Sequence, residues 1–311
     1  MSVALRRLPP LATTGVGSLP FHRAAEAAHH AVSAYELPFC PQLPQLYGDM
    51  IEEWLGADPG RCGWTPDRDR QLPAAWDAFV LELERDPPEH RVVKLQVTGP
   101  LTLAVALEGE RSRATLRAET HRLAYEIAGW LAAAAADQAA ALEELGLDTL
   151  LIVDEPGLAR LALDTAAAGV WDPLRAAASA WGLHICCAVP WHVVDAAAPD
   201  VVSFDLTRYP PPSAGRRTLS RLVARGGRVM WGAVGTGVAG DAVTAAALVT
   251  AAAAALADSA LIETALLSPV CGTGRCTVAA ERRVAELVRT TADAVRAGAP
   301  LLHAASPVAR R

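Results

Sequence analysis

Residues 182–192 read GLHICCAVPWH and set a histidine and two adjacent cysteines in a short apolar run. Imidazole and thiolate are donors that suit zinc. Adjacent cysteines rarely pair with each other, because the eight-membered ring strains the disulfide geometry. If the run is a strand, the pleat sends His184 and Cys186 to one face and Ile185 and Cys187 to the other. An imidazole and a thiol then meet the same space, while Cys187 packs as a small apolar residue. Taken alone, the stretch fits equally well a set of side chains that only fill a core.

Two further runs bring donors of the same kind. DVVSFDLT (200–207) ends its apolar part at Asp205, and ALLSPVCGTG (265–274) delivers Cys271 just before glycines. Both lie at carboxyl ends of predicted strands, as His184 and Cys186 do. One histidine, two thiols and a carboxylate make a zinc set, since magnesium and calcium take oxygen ligands. A second cluster is acidic: DTLLIVDEP (148–156) drives an apolar run into Asp154 and Glu155. Either could grip an ammonium group or place an acid–base step; the plain alternative is that Asp154 caps the next helix. TTGVGSLP (13–20) holds Val16, Gly17 and Ser18 at a tight turn, where N–H groups and a hydroxyl suit a carboxylate. In RVVKLQVTGP (91–100), Gln96 and Thr98 share a strand face at the same rim. Cys276 sits in the turn after Cys271 and is not read as a ligand, and Cys40 and Cys62 have no evident partner.

Positioning these residues requires strands that end together. Besides the runs above, GRVMWGAVGTG (227–237), GLHICCAVP (182–190) and the proline-flanked LPFCPQLP (37–44) read as strands, the last being the weakest. Helical composition fills the intervals, at 73–86, 113–146, 172–181, 241–258 and 278–298. Strictly alternating strands and helices demand a parallel sheet with helices outside it. Eight repeats predict a (β/α)8 barrel over residues 1–311 as one domain, the first dozen residues being an extension that caps the barrel floor or is partly disordered. No G-x-G-x-x-G opens a helix after the first strand, which argues against a doubly wound sheet. The stretches 56–73 and 209–216 read as long loops on the barrel, where active sites are built.

Composition bounds the partners. The chain has 311 residues, 52% of them hydrophobic, and a formal charge of −6. Its basic residues are scattered, and all but Lys94 are arginines. No nucleic-acid footprint is visible. The alanine-rich stretches are broken by charges, so no membrane span is expected. Six cysteines in a chain this long are too few for a disulfide scaffold; a reduced cytoplasmic setting is expected.

The order GVGSLP, QVTGPLT, DEP, HIC, SFD and SPVCG, from about Thr13 to about Val295, closely resembles the catalytic C-terminal barrel of cobalamin-independent methionine synthase. That barrel belongs to the uroporphyrinogen decarboxylase-like group. The resemblance implies zinc held by His184, Cys186, Asp205 and Cys271, with Asp205 standing where the family has a glutamate. It implies that Asp154 holds an amino acid, whose backbone lies on the turn Val16, Gly17 and Ser18. Gln96, Asp154 and Glu155 complete the expected substrate contacts, with Asp154 as catalytic residue.

There are departures. The family's aromatic residue for the folate ring is replaced by Ala106 or a neighbour, its D-I-H-S histidine has no counterpart in WGAVGTG, and nothing in these 311 residues corresponds to its duplicated N-terminal barrel. These readings imply a zinc-dependent methyltransferase that turns a thiol, homocysteine, into methionine. The expected donor is methylcobalamin or a corrinoid protein rather than a folate. A related alkyltransferase for another thiol, such as a coenzyme M-type acceptor, is the alternative, as are a metal-free decarboxylase and a closed structural zinc site.

Overall fold

The structure is a computed structural model that describes residues 2–56, 72–108, 118–237, 242–254 and 264–297. Seven strands form one sheet: β1 (Ala12–Thr13), β2 (Val92–Thr98), β3 (Asp148–Asp154), β4 (Ala180–Ile185), β5 (Val201–Asp205), β6 (Arg228–Val234) and β7 (Leu266–Pro269). Their order is β1-β7-β6-β5-β4-β3-β2, and every pair is parallel. The sheet is curled. Its two edge strands both reach the main chain of residues 37–42, because Leu37 N–H donates to Thr13 O at 2.9 Å and Lys94 N–H donates to Pro38 O at 2.7 Å. This α/β architecture fits the expected barrel type, with seven strands in place of eight.

The missing strand is LPFCPQLP. It makes only isolated bridges, Phe39 to Lys94 and Ser18 to Gln42. Pro38 and Pro41 have no N–H, so a continuous ladder cannot form there. TTGVGSLP is likewise strand only at Thr13 and turn beyond it.

Helices line the chain in the order α1 (Val3–Arg7), α2 (Ala24–Ser33), α3 (Pro44–Tyr47), α4 (Met50–Leu55), α5 (Trp76–Arg85) and α6 (Pro100–Glu108). They continue with α7 (Ala118–Glu144), α8 (Trp191–Ala197), α9 (Ser213–Ala224), α10 (Ala242–Ala254) and α11 (Val278–Arg296). The helix expected over 172–181 is instead a 3-10 helix at Thr165–Ala176, and β4 already starts at Ala180. Pro173 inside it lacks the N–H that a longer α-helical ladder needs. Most of the expected 56–73 loop lies outside the described residues, while 209–212 runs as loop into α9. No described helix is long and apolar enough to cross a membrane.

The pleat splits the strand side chains into two sets. Leu151, Val153, Leu183, Ile185, Val202, Phe204 and Trp231 pack against the helices in the main core. Leu150, Ile152, Ala180, Val201, Met230 and Leu266 form a second cluster on the other face, together with Ala4, Leu5 and Leu8. The N-terminal extension therefore plugs the inner face at the amino ends of the strands. Arg228 fastens it there, donating to Leu8 O at 2.7 Å and to Pro9 O at 3.2 Å.

Candidate active site

Above that apolar plug the inner face turns polar. Register places Thr98 beside Asp154, Asp154 beside His184, and His184 beside Ser203. Alternation of two residues per repeat therefore carries these side chains to the same face as Leu150 and Ile152, one step nearer the carboxyl ends. Asp154 and His184 border a cavity of about 470 Å³, within the range of small-molecule sites. Asp154, His184, Cys186 and Cys271 all line it, as do Val16 and Ser18.

His184 is held from one side only. Its Nδ1 lies 2.8 Å from Ser203 Oγ, whereas its buried Nε2 has no hydrogen-bond partner. Cys271 lies in contact with Cys186 and with His184, and the Cys186 S–H and the imidazole together hold the Cys271 thiol well below its usual pKa. The same contact, with burial, pushes the Cys186 thiol up. The shared contact thus favours the thiolate form at Cys271 over Cys186. Asp154 is raised from the ordinary carboxyl range by burial, against the pull of His184 and Lys94, and its Oδ1 has no partner. Among the described residues no three His, Cys, Asp or Glu side chains stand together as a ready metal cluster. The donor types and the orphaned Nε2 nevertheless suit zinc, with His184, Cys186 and Cys271 as the donors on one cavity wall.

Asp205 lies apart from this wall. Its Oδ1 accepts hydrogen bonds from Thr207 N–H at 2.9 Å, Thr207 Oγ1 at 2.6 Å and Arg208 N–H at 3.0 Å. A side chain this short folds onto its own turn. Glu155 also leaves the cavity. Its Oε1 accepts from Leu101 N–H at 3.2 Å and Trp171 Nε1 at 2.9 Å, and its Oε2 accepts from Thr102 N–H at 2.9 Å and Thr102 Oγ1 at 2.6 Å. Asp154 caps no following helix; Glu155 instead accepts from the first N–H groups of α6, which precedes it in the chain. Cys187 is half-buried on the helix side, packed against the main core.

Gln96 supports the site from beneath. It donates to Cys40 O and accepts from Lys94 Nζ at 2.7 Å, and a Cβ on Gly17 would stand 3.0 Å from its Cδ. Lys94 Nζ also donates to Val16 O at 2.8 Å. The turn at 16–18 therefore rests directly on these two side chains. The 271–275 loop joins the turn from the other side, through Thr273 N–H to Ser18 O at 2.9 Å.

Sequence reading missed Glu53, Lys94 and Ser203. Glu53 lines the cavity from α4; burial pushes its carboxyl up to about 7 against the lowering bond from Gln42 Nε2, 2.9 Å away. The signal for α4 was present as a capping box, Asp49 with Glu52. Lys94 is the sole lysine, and it is fully buried. Met50, Ile51, Val105 and Ala106 give the cavity an apolar wall. Among the described lining residues there is no Phe, Tyr or Trp. Trp64, an aromatic residue of the 56–73 stretch that could shelve a ring, lies outside the described residues.

No family model matches the chain, and no curated protein matches it either. Solved structures do. A methyltransferase from Methanosarcina mazei superposes with a TM-score of 0.59 at 15% identity, over 95% of this chain and 96% of that one. A B12-independent methionine synthase from Shewanella sp. W3-18-1, in complex with selenomethionine, gives 0.51 at 16% identity, over 71% of this chain and 67% of that one. The chain shares their fold. The motif order and these solved structures thus point to the same kind of α/β fold.

Proposed function

We propose that this chain is a zinc-dependent thiol methyltransferase that makes methionine from homocysteine. The observation that carries the proposal is the meeting of His184, Cys186 and Cys271 at one cavity wall, with His184 Nε2 buried and unpartnered. Those three would hold the ion. With Asp205 engaged in its own turn, the fourth position is left for the acceptor sulfur, as in catalytic zinc sites. When bound, zinc supplies the cation that keeps a thiol deprotonated at neutral pH and therefore nucleophilic. Asp154 and Glu53 would take the acceptor's ammonium group, and the turn at 16–18 its carboxylate. The apolar wall of Met50, Ile51, Val105 and Ala106 keeps water from the transferred methyl group. We read the bridged segment 37–42 as the eighth stave of a closed barrel, and the free thiols as suited to a reduced cytoplasm.

For the donor we propose a methylcorrinoid, free or on a carrier protein. A pteridine ring wants an aromatic shelf, and the described lining offers none. Glu53, with its pKa near 7, is an acid that could return a proton to a departing nitrogen, so the missing shelf is the stronger ground. Cobalt(I) leaves without needing a proton. A cavity of about 470 Å³ does not enclose a corrin macrocycle, which would sit over the mouth with its methyl group directed inward.

Arg160 and Arg275, which have no ion pair among the described residues, also line this cavity. They favour an acceptor with an anionic end, which includes a coenzyme M-type sulfonate as the second reading. Purified protein with zinc, offered homocysteine or mercaptoethanesulfonate, should be assayed in parallel with methylcobalamin and methyltetrahydrofolate. We expect methionine from methylcobalamin and little from the folate. Metal analysis should find about one zinc in the parent protein and a loss in Cys186→Ser and Cys271→Ser. Full zinc occupancy in both variants, or no methyl transfer to either thiol, would sink the proposal.

A further inference from the structure

We infer that Ser203 is a positioning residue for His184: it sets which ring nitrogen faces the cavity, and so the affinity of the site for zinc. The inference rests on the zinc reading and goes beyond it, because Ser203 neither lines the cavity nor belongs to the donor set. Ser203 sits inside β5, is fully buried, and is the direct register partner of His184. Its Oγ lies 2.8 Å from Nδ1, and no other hydrogen bond to that hydroxyl is found among the described residues. On the opposite flank His184 has Asp154 as register partner, and toward the cavity it has Cys271. The serine therefore has one task, and the ring has one fixed anchor.

The consequence follows from imidazole chemistry. A ring that donates Nδ1–H to Ser203 presents an Nε2 lone pair to the cavity, which is the form that binds a metal. The Nε2 of this chain is buried without a hydrogen-bond partner, and the ring as a whole interacts with Cys271. A hydroxyl both donates and accepts, so Ser203 can keep the ring in place in either tautomer. A carboxylate at this position could only accept. With alanine at 203, a buried Nδ1 loses its partner and the ring is free to turn about its last side-chain torsion, taking Nε2 off the Cys271 side.

The test is competition titration of zinc into the parent protein, Ser203→Ala and Ser203→Thr, with cobalt(II) absorption as a second readout. We expect Ser203→Ala to bind zinc roughly 10- to 100-fold more weakly, the usual effect of removing a partner behind a histidine ligand. Its cobalt d–d bands should shift, and the metal-free protein should unfold at a modestly lower temperature, because one buried hydrogen bond is lost. Ser203→Thr, which keeps the hydroxyl, should restore both affinity and bands. Parental affinity in Ser203→Ala, beside tight binding by the parent, overturns the role of Ser203 and leaves the zinc reading standing. A parent protein that binds no zinc overturns both.

Discussion

Two neighbouring carboxyl groups, Asp154 and Glu155, end with opposite tasks. Asp154 is the last inward-facing residue of β3 and looks into the cavity, while Glu155, one residue on, swings behind the wall to the start of α6. All four groups that touch Glu155 are donors, two main-chain N–H groups, an indole N–H and a hydroxyl. Removing the carboxylate leaves them buried without an acceptor. Glu155→Ala should therefore cost about 3 kcal/mol or more in denaturant unfolding. If the group instead bound a substrate, the same variant would lose activity at nearly unchanged stability.

At the scale of elements, the site is an assembly of loops held by a helix behind them. Glu281, in the first turn of α11, accepts from Tyr35 OH at 2.8 Å and from Thr273 Oγ1, and lies 3.0 Å from His30 Nε2. Thr273 in turn binds Ser18 O, so one buried carboxylate ties α2, the Cys271 loop and the turn at 16–18 into a unit. Glu281→Ala should lower the melting temperature, with a loss of about 3 kcal/mol from the donors it strands. It should also weaken zinc binding, because Cys271 stands two residues from Thr273. An unchanged melting temperature would mean that the loop is held by its main chain alone.

At the scale of the whole molecule, the inner face of the curled sheet divides into an apolar plug and a polar mouth, and the carboxyl groups buried at and behind that mouth carry a stability cost. Glu53 and Glu155 are both pushed by burial from 4.5 to about 7. Between those values the folded chain keeps a proton that the unfolded chain has lost. Stability contributed by these groups is thus fully present below about pH 4.5 and falls as pH rises through 7. Glu53→Gln, neutral at every pH, should flatten the slope of unfolding free energy across that window and raise stability at pH 8. A slope equal to that of the parent would place the Glu53 pKa in the ordinary range.

The sequence by itself determined the periodic parts. Alternation of β-branched runs with alanine-rich helices announced a parallel α/β sheet. The two-residue pleat put His184 on the inner face of β4, but the strand expected over 182–190 ends at Ile185, and Cys186 reaches the cavity and Cys187 the core from the turn beyond it. Motif order pointed to a fold group that the solved structures then matched at 15–16% identity.

Tertiary structure decided what period cannot encode. The prolines of LPFCPQLP reduce an expected strand to bridges, and only the curled sheet shows what lies on each side of it. The place at a strand end makes Asp205 an expected metal ligand and Glu155 an expected substrate contact, but where a carboxylate points depends on which donors reach it first. For Asp205 these are its own turn's N–H groups; for Glu155 they come from the start of a helix more than 50 residues earlier in sequence and from the Trp171 indole. Glu53, Lys94 and Ser203 had no motif to mark them. Each matters through a partner distant in sequence, Asp154, Val16 and His184 respectively, and such pairings exist only once the sheet has closed its neighbours together.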